Sequence, residues 1–178
     1  MRSYNFAFID GANLHLTYEY LDWKLDYQKL RNYLQKKLDV VVAYYFIGKT
    51  KESREISENL ESYGYTVKLK EPSLYLTEEE YCPYCKKVIA PEIPRHKSDI
   101  DSFMTLQAMT DISTYDKAVL ITSDGDFDEL VKRLLQQDKL RMVLAPCRDG
   151  CSGLLMSAAG NRILFIDDYR GELEKQER

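Results

Sequence analysis

Two aspartates separated by one glycine, Asp124-Gly125-Asp126, follow almost directly on the apolar run Ala118-Val-Leu-Ile121. A buried strand that empties into paired carboxylates must offset their repulsion with solvent, with the start of a helix, or with a cation. A second strand-like run ends the same way, in Phe8-Ile9-Asp10-Gly11-Ala12-Asn13, and a third acidic group, Asp99-Ile100-Asp101, opens a helical pattern. If the first and fourth strands are neighbours, Asp10, Asp101, Asp124 and Asp126 converge at one edge of a sheet. Carboxylates a few Å apart raise one another's pKa. Hard cations such as Mg²⁺ or Mn²⁺ resolve that conflict with oxygen ligands and keep positions for water and phosphate.

Helix capping is the competing explanation. Ser98-x-x-Asp101 and Ser123-x-x-Asp126 both match a capping box, and acids in a first turn complement the macrodipole. Asp128 and Glu129 lie deeper in the same helical pattern and read as surface residues. Asp10 differs, because nothing in the sequence around it implies a capping partner.

The elements that must position these acids alternate along the chain. Apolar runs of strand length occur at 5–9, 40–47, 65–69, 117–122, 141–145 and 163–166. Helical patterns separate them. Leu30, Leu34 and Leu38 mark one helix, and Ile56, Leu60 and Tyr63 a second. Phe103, Leu106 and Met109 mark a third, and Phe127, Leu130, Val131, Leu134 and Leu135 a fourth. Strands alternating with helices predict a parallel α/β sheet, and right-handed crossovers place every strand-to-helix turn on one edge, where ligands bind.

The 178 residues predict one domain over 1–169, followed by a charged tail from Arg170 that frays. Glu71 to Lys97 breaks the alternation, with four prolines, a CxxC and no clean period, and reads as an inserted functional loop or a small metal-stapled lobe. A net charge of −4 and a pI near 5.3 exclude nucleic-acid binding by bulk positive field, though not an acidic pocket with basic residues around it. No run approaches the ~18 apolar residues of a membrane helix, and the first residues lack a signal-peptide layout, so a cytoplasmic protein is expected.

The segments FIDGANLH, KSDIDSFMTLQAM, KAVLITSDGDFDELVKRL and SGLLMSAAG-x4-FIDD together resemble the NYN family, in particular its LabA-like branch, a relative of the PIN nucleases. The resemblance implies a PIN-like three-layer α/β/α sandwich around a mostly parallel sheet, and a metal-dependent ribonuclease activity. It carries onto Asp10, Asn13, Asp101, Ser123, Asp124 and Asp126. Two positions depart from the pattern: Gln107 and Gly160 stand where the family usually has aspartate. On this reading Mg²⁺ or Mn²⁺ is held by Asp10, Asp124 and Asp126, with Asp101 binding directly or through water. Asn13 and Ser123 position the scissile phosphate or hold a carboxylate in register. A non-catalytic nucleic-acid- or protein-binding module of the same fold is the alternative, favoured by Gln107 and Gly160. A phosphatase would carry Asp-x-Asp after the first strand, where this chain has Asp10-Gly11-Ala12.

Other signals are weaker. Gly48-Lys49-Thr50 is not a P-loop, because the first glycine of that motif would fall at Ala43 inside a strand. Lys49, Lys51 and Arg54 follow the second strand and either meet RNA phosphates or open a solvated helix. Cys82-x2-Cys85 has the spacing of a zinc half-site or a redox pair, which Cys147 and Cys151, or His96, could complete. The bland alternative is reduced loop thiols. Lys86, Lys87, Arg95, His96 and Lys97 with Tyr81 and Tyr84 suit single-stranded RNA or form a solvated face. His15 is expected to pack or cap. A homo-oligomer or a protein partner stays open.

Overall fold

The apolar runs assemble into one six-stranded parallel sheet. The computed structural model of the protein describes residues 3–16, 21–91 and 93–176, apart from the side chains of Leu16, Arg95 and His96. In chain order the elements are β1 (Asn5–Asp10), α1 (Gly11–Leu16), α2 (Tyr27–Leu38), β2 (Val40–Gly48), α3 (Ser53–Ser62) and β3 (Thr66–Lys70). The short strands β4 (Ser73–Leu76), β5 (Glu80–Tyr81), β6 (Val88–Ala90) and β7 (Pro94–Lys97) come next. Then follow α4 (Ile100–Thr110), β8 (Ala118–Ile121), α5 (Asp128–Gln136), β9 (Leu140–Ala145), α6 (Gly153–Ala159), β10 (Ile163–Phe165) and α7 (Arg170–Leu173).

The large sheet has the order β10-β9-β8-β1-β2-β3, parallel throughout. The chain builds outward from β1 through β2 and β3, then returns to the other side of β1 and builds outward again. The order therefore reverses between β1 and β8, and a parallel sheet opens its crevice where such a reversal occurs.

Strand periodicity sorts the core into two layers. Phe6 and Phe8 of β1 face Met104 of α4 and Leu130, Val131 and Leu134 of α5. Ala7 and Ile9, pointing the other way, share a core with Leu30, Leu34 and Leu38 of α2 and Leu60 of α3. All six residues of β1 are buried, as expected of a central parallel strand covered by helices on both faces. The result is an α/β/α sandwich. Among the described residues, no helix is long and apolar enough to cross a membrane.

Two helical faces differ from the pattern of large apolar residues. In α4 the buried positions are Ile100, Met104 and Ala108, while Leu106 is 66% exposed. In α3 they are Ser53, Ser57 and Leu60, and Ile56 and Tyr63 are exposed. Small residues let these helices sit close to the sheet.

The C-terminal segment is docked on the sheet domain where it is described. Leu173 is 1% exposed and joins the α2-side core. Its carbonyl accepts from Asp26 N, and Lys175 N donates to the Lys24 carbonyl. One apolar side chain in a charged segment is enough to dock it.

The insert is an arm of two successive antiparallel pairs, β4 with β7 and β5 with β6. Leu74, Tyr75, Leu76, Val88 and Ile89 are all exposed. No core selects one face of this ribbon, which is why its sequence shows no strand period.

Candidate metal centre at the sheet reversal

β1 and β8 are paired from Phe6↔Ala118 to Ile9↔Ile121, so Asp10 and Thr122 leave the sheet side by side. Three of the sequence-predicted acids meet there. One carboxylate oxygen from each of Asp101, Asp124 and Asp126 lies within 4.8 Å of the others. Asp10 stands behind them, 4% exposed, with Oδ1 accepting from Asn13 N at 3.0 Å and Oδ2 from the Thr122 hydroxyl at 3.4 Å.

Capping and clustering turn out not to be alternatives. Asp99, not Ser98, caps α4 by accepting from Ser102 N, which leaves Asp101 in the first turn free to face the other acids. Asp10 accepts from the third residue of α1 and thereby caps it, a role its sequence context did not suggest. Asp124 accepts from Asp126 N through Oδ1 and opens a 3₁₀ turn, Gly125–Phe127, that leads into α5. Phe127, fully buried, anchors that turn in the core. Asp128 and Glu129 both pair with Lys132 on the surface of α5.

Electrostatics register the crowding. Burial, opposed by the Asn13 N–H, and then the charges of Asp101 and Asp124 push Asp10 up to about 6 from its ordinary 3.8, with Thr122 opposing more weakly. Burial and then Asp124 and Asp126 raise Asp101, and Lys97 pulls it back. Lys97, at the end of β7, is thus a cation whose charge reaches the cluster. Lys49 is engaged elsewhere, in an ion pair with Glu71.

Asn13 and Ser123 have become a clasp. Ser123 donates to Asn13 Oδ1 from both its backbone N (2.9 Å) and its hydroxyl (3.0 Å), joining the segment after β1 to the segment after β8. Both residues border an open groove of about 470 Å³ whose walls include Asp124, Asp126, Asp149 and Ser152. Asp149 and Ser152 went unnoticed in the sequence. Their signal was position: they follow β9, the neighbour of β8, on the same sheet edge. Gly125 is needed for contact rather than for backbone freedom, since a Cβ there would sit 2.5 Å from Ser152 Oγ. Gly11 is tighter, with Tyr45 Cε1 at 2.3 Å and the Phe46 carbonyl at 2.5 Å from the same position. Each glycine beside an acid lets another segment close on it.

The donor set suits a hard cation. Three carboxylates face one point, a fourth lies behind them, and the groove is open to water. The four cysteines do not assemble. Cys147 and Cys151 are buried in the loop after β9, whereas Cys82 and Cys85 lie at the tip of the arm. Among the described residues, Asp101, Asp124 and Asp126 form the one set of three or more Cys, His, Asp or Glu with converging donors. Burial and the adjacent Cys147 push the Cys151 thiol up, which fits a reduced thiol better than a metal-bound thiolate. His15 borders a different cavity, with Trp23, Leu25 and Tyr27. The His96 side chain lies outside the described ones.

Gln107 and Gly160 fall away from this groove. Gln107 donates to Asp111, one turn further along α4, about 9 Å beyond Asp101 along the helix axis. Gly160 ends α6 with a φ of +57°, a conformation that favours glycine.

The architecture recurs in known proteins. A crystal structure of a protein of unknown function from Vibrio parahaemolyticus RIMD 2210633 superposes with a TM-score of 0.71 at 23% identity, covering 97% of both chains. Low amplitude and bright protein LabA of Synechococcus elongatus is 25% identical over 175 residues, 96% of this chain and 88% of that protein. The family model described as NYN domain matches residues 6–167, from β1 through β10, and the chain belongs to the NYN domain family.

Proposed function

We propose that the protein is a metal-dependent nuclease that hydrolyses phosphodiester bonds, with RNA as its substrate. The observation that carries this reading is the convergence of Asp101, Asp124 and Asp126 at the β1/β8 reversal, with Asp10 behind them. Asp101, Asp124 and Asp126 hold a divalent cation, Mg²⁺ or Mn²⁺, which when bound supplies a water of lowered pKa and positive charge for the phosphate. Asp10 adds negative charge from the rear and caps α1, so it fixes the end of β1 against the cluster. The Asn13–Ser123 clasp holds the β8 end in register with the β1 end. Lys97, whose charge already reaches Asp101, contacts a phosphate neighbouring the scissile one.

The base of the arm supports a single-stranded substrate. Tyr75 pairs with Arg95 and Ser73 with Lys97, so Tyr75 and Lys97 lie on one face of the ribbon, diagonal to each other. An exposed aromatic ring beside a cation suits stacking on an unpaired base together with phosphate contact. Gln107 and Gly160, the two departures that favour a binding-only module, take no part in the acidic cluster, which supports the enzyme reading.

The test is a panel of labelled single- and double-stranded RNA and DNA with Mn²⁺ or Mg²⁺, run with wild type and Asp124→Asn. Cleavage of single-stranded RNA by wild type and its loss in the variant are expected. Binding without cleavage by the metal-loaded wild type would overturn the enzyme in favour of a binding module.

A further inference from the structure

The tip of the arm carries a constellation that the acidic groove does not use. Cys82-Pro-Tyr-Cys85-Lys-Lys87 closes the β5–β6 hairpin. Lys86 N donates to the Cys82 carbonyl at 2.9 Å, and Cys82 N to the Lys87 carbonyl at 2.8 Å. Lys86 adopts a left-handed φ of 57° to make this turn. This turn holds Cys82 and Cys85 at the tip of the hairpin, and both thiols are free. Two thiolates at this spacing are half of a closed tetrahedral zinc site.

The other half is not in the same chain among the described side chains. Among the described residues, no third Cys, His, Asp or Glu donor joins Cys82 and Cys85. Cys147 and Cys151 are buried beside β9, on the far side of the sheet order from β3, where the arm departs. His96 stands opposite Leu74 at the base of the arm, well back along the ribbon.

Apolar surface surrounds the thiols. Tyr84 is 95% exposed and Ile89 64%, with Val88 and Tyr81 also exposed. A two-stranded ribbon with no core is marginal by itself, so a body that covers the tip stabilises it. We propose that this body is a second copy of the chain, docked tip to tip about a twofold axis, so that the two Cys82/Cys85 pairs share one zinc ion. An isologous contact supplies what each copy lacks: two thiolates and a matching apolar surface. Charge agrees as well. A zinc ion with four thiolates has an excess of negative charge, and Lys86 and Lys87 of both copies flank it. This site is independent of the nuclease reading.

The test measures zinc content and solution mass on the full chain, purified under reducing conditions without chelator. One zinc per two chains in a dimer is expected, and Cys85→Ser is expected to give a zinc-free monomer with an unchanged circular dichroism spectrum. Titration of metal-stripped protein with Co²⁺, followed by thiolate charge-transfer absorbance, gives a second readout with an expected end point of half an equivalent per chain. One metal per monomeric chain, a dimer that survives Cys85→Ser, or no metal bound in either experiment would each overturn the proposal.

Discussion

The centre of the sheet and the arm place their chemistry by opposite means. β1 is buried at all six positions, and its end is held by Asn13, Thr122 and the packing of Gly11 against β2. Four carboxylates can be kept close there because two cores and three helix starts over-determine where each one stands. In the arm every position of β4 is exposed, and hydrogen bonds alone fix the Cys82 turn. The centre builds its site from its own chain. The arm holds half of one and needs a partner for the rest.

The first way to break this contrast is to loosen the centre. Phe127 is fully buried under the turn that carries Asp124 and Asp126. Phe127→Ala is expected to cost about 3–5 kcal/mol in chemical denaturation, through lost burial and the cavity left behind. A loss below ~1 kcal/mol would show that the core does not set this turn.

Asp10 gives the next effect and its sign. It titrates near 6 in the folded protein against 3.8 ordinarily. Between those values the folded state holds the extra proton, so folding is favoured at low pH and this advantage is lost as pH rises through 6. Above that, the buried charge costs roughly 1–3 kcal/mol. Asp10→Asn in metal-free protein is therefore expected to raise Tm at pH 8 and to leave it unchanged near pH 4. A cation bound beside Asp10 favours its charged form, so added Mn²⁺ narrows the difference at pH 8.

The arm supplies the small effects. Leu74→Ser removes an exposed side chain and is expected to change the stability of the sheet domain by no more than about 0.5 kcal/mol in urea. A larger loss would mean that the arm packs on the sheet. Smallest of all is Gln107→Asp, six residues along α4 from Asp101, which should leave the metal-dependent cleavage rate within about twofold of wild type.

The contrast also explains what was legible in the sequence. All six strands of the main sheet were readable from apolar runs, most plainly β1 and β8, where burial on both faces leaves every position buried. Asp10, Asp124 and Asp126 were readable because they follow those runs, and Asp101 because it opens a helical pattern. The face of α4 was readable in part, since Phe103 and Met109 pack against the core, but Met104 and Ala108 do most of the burying and Leu106 lies outside. The arm strands left no period, having no buried face. Leu173 was hidden among charges. Asp149 and Ser152 required the strand order, which places the loop after β9 beside the one after β8.

On the proposed function, the acids at the β1/β8 reversal hold the cation that drives phosphodiester cleavage. The most direct measurement is the rate of single-stranded RNA cleavage as a function of Mn²⁺ for wild type and Asp124→Asn, with circular dichroism confirming that both are folded. Cleavage is expected to rise with Mn²⁺ in wild type and to fall by at least about 100-fold in the variant, which lacks one carboxylate at the metal. Equal, metal-dependent cleavage by both proteins would contradict it.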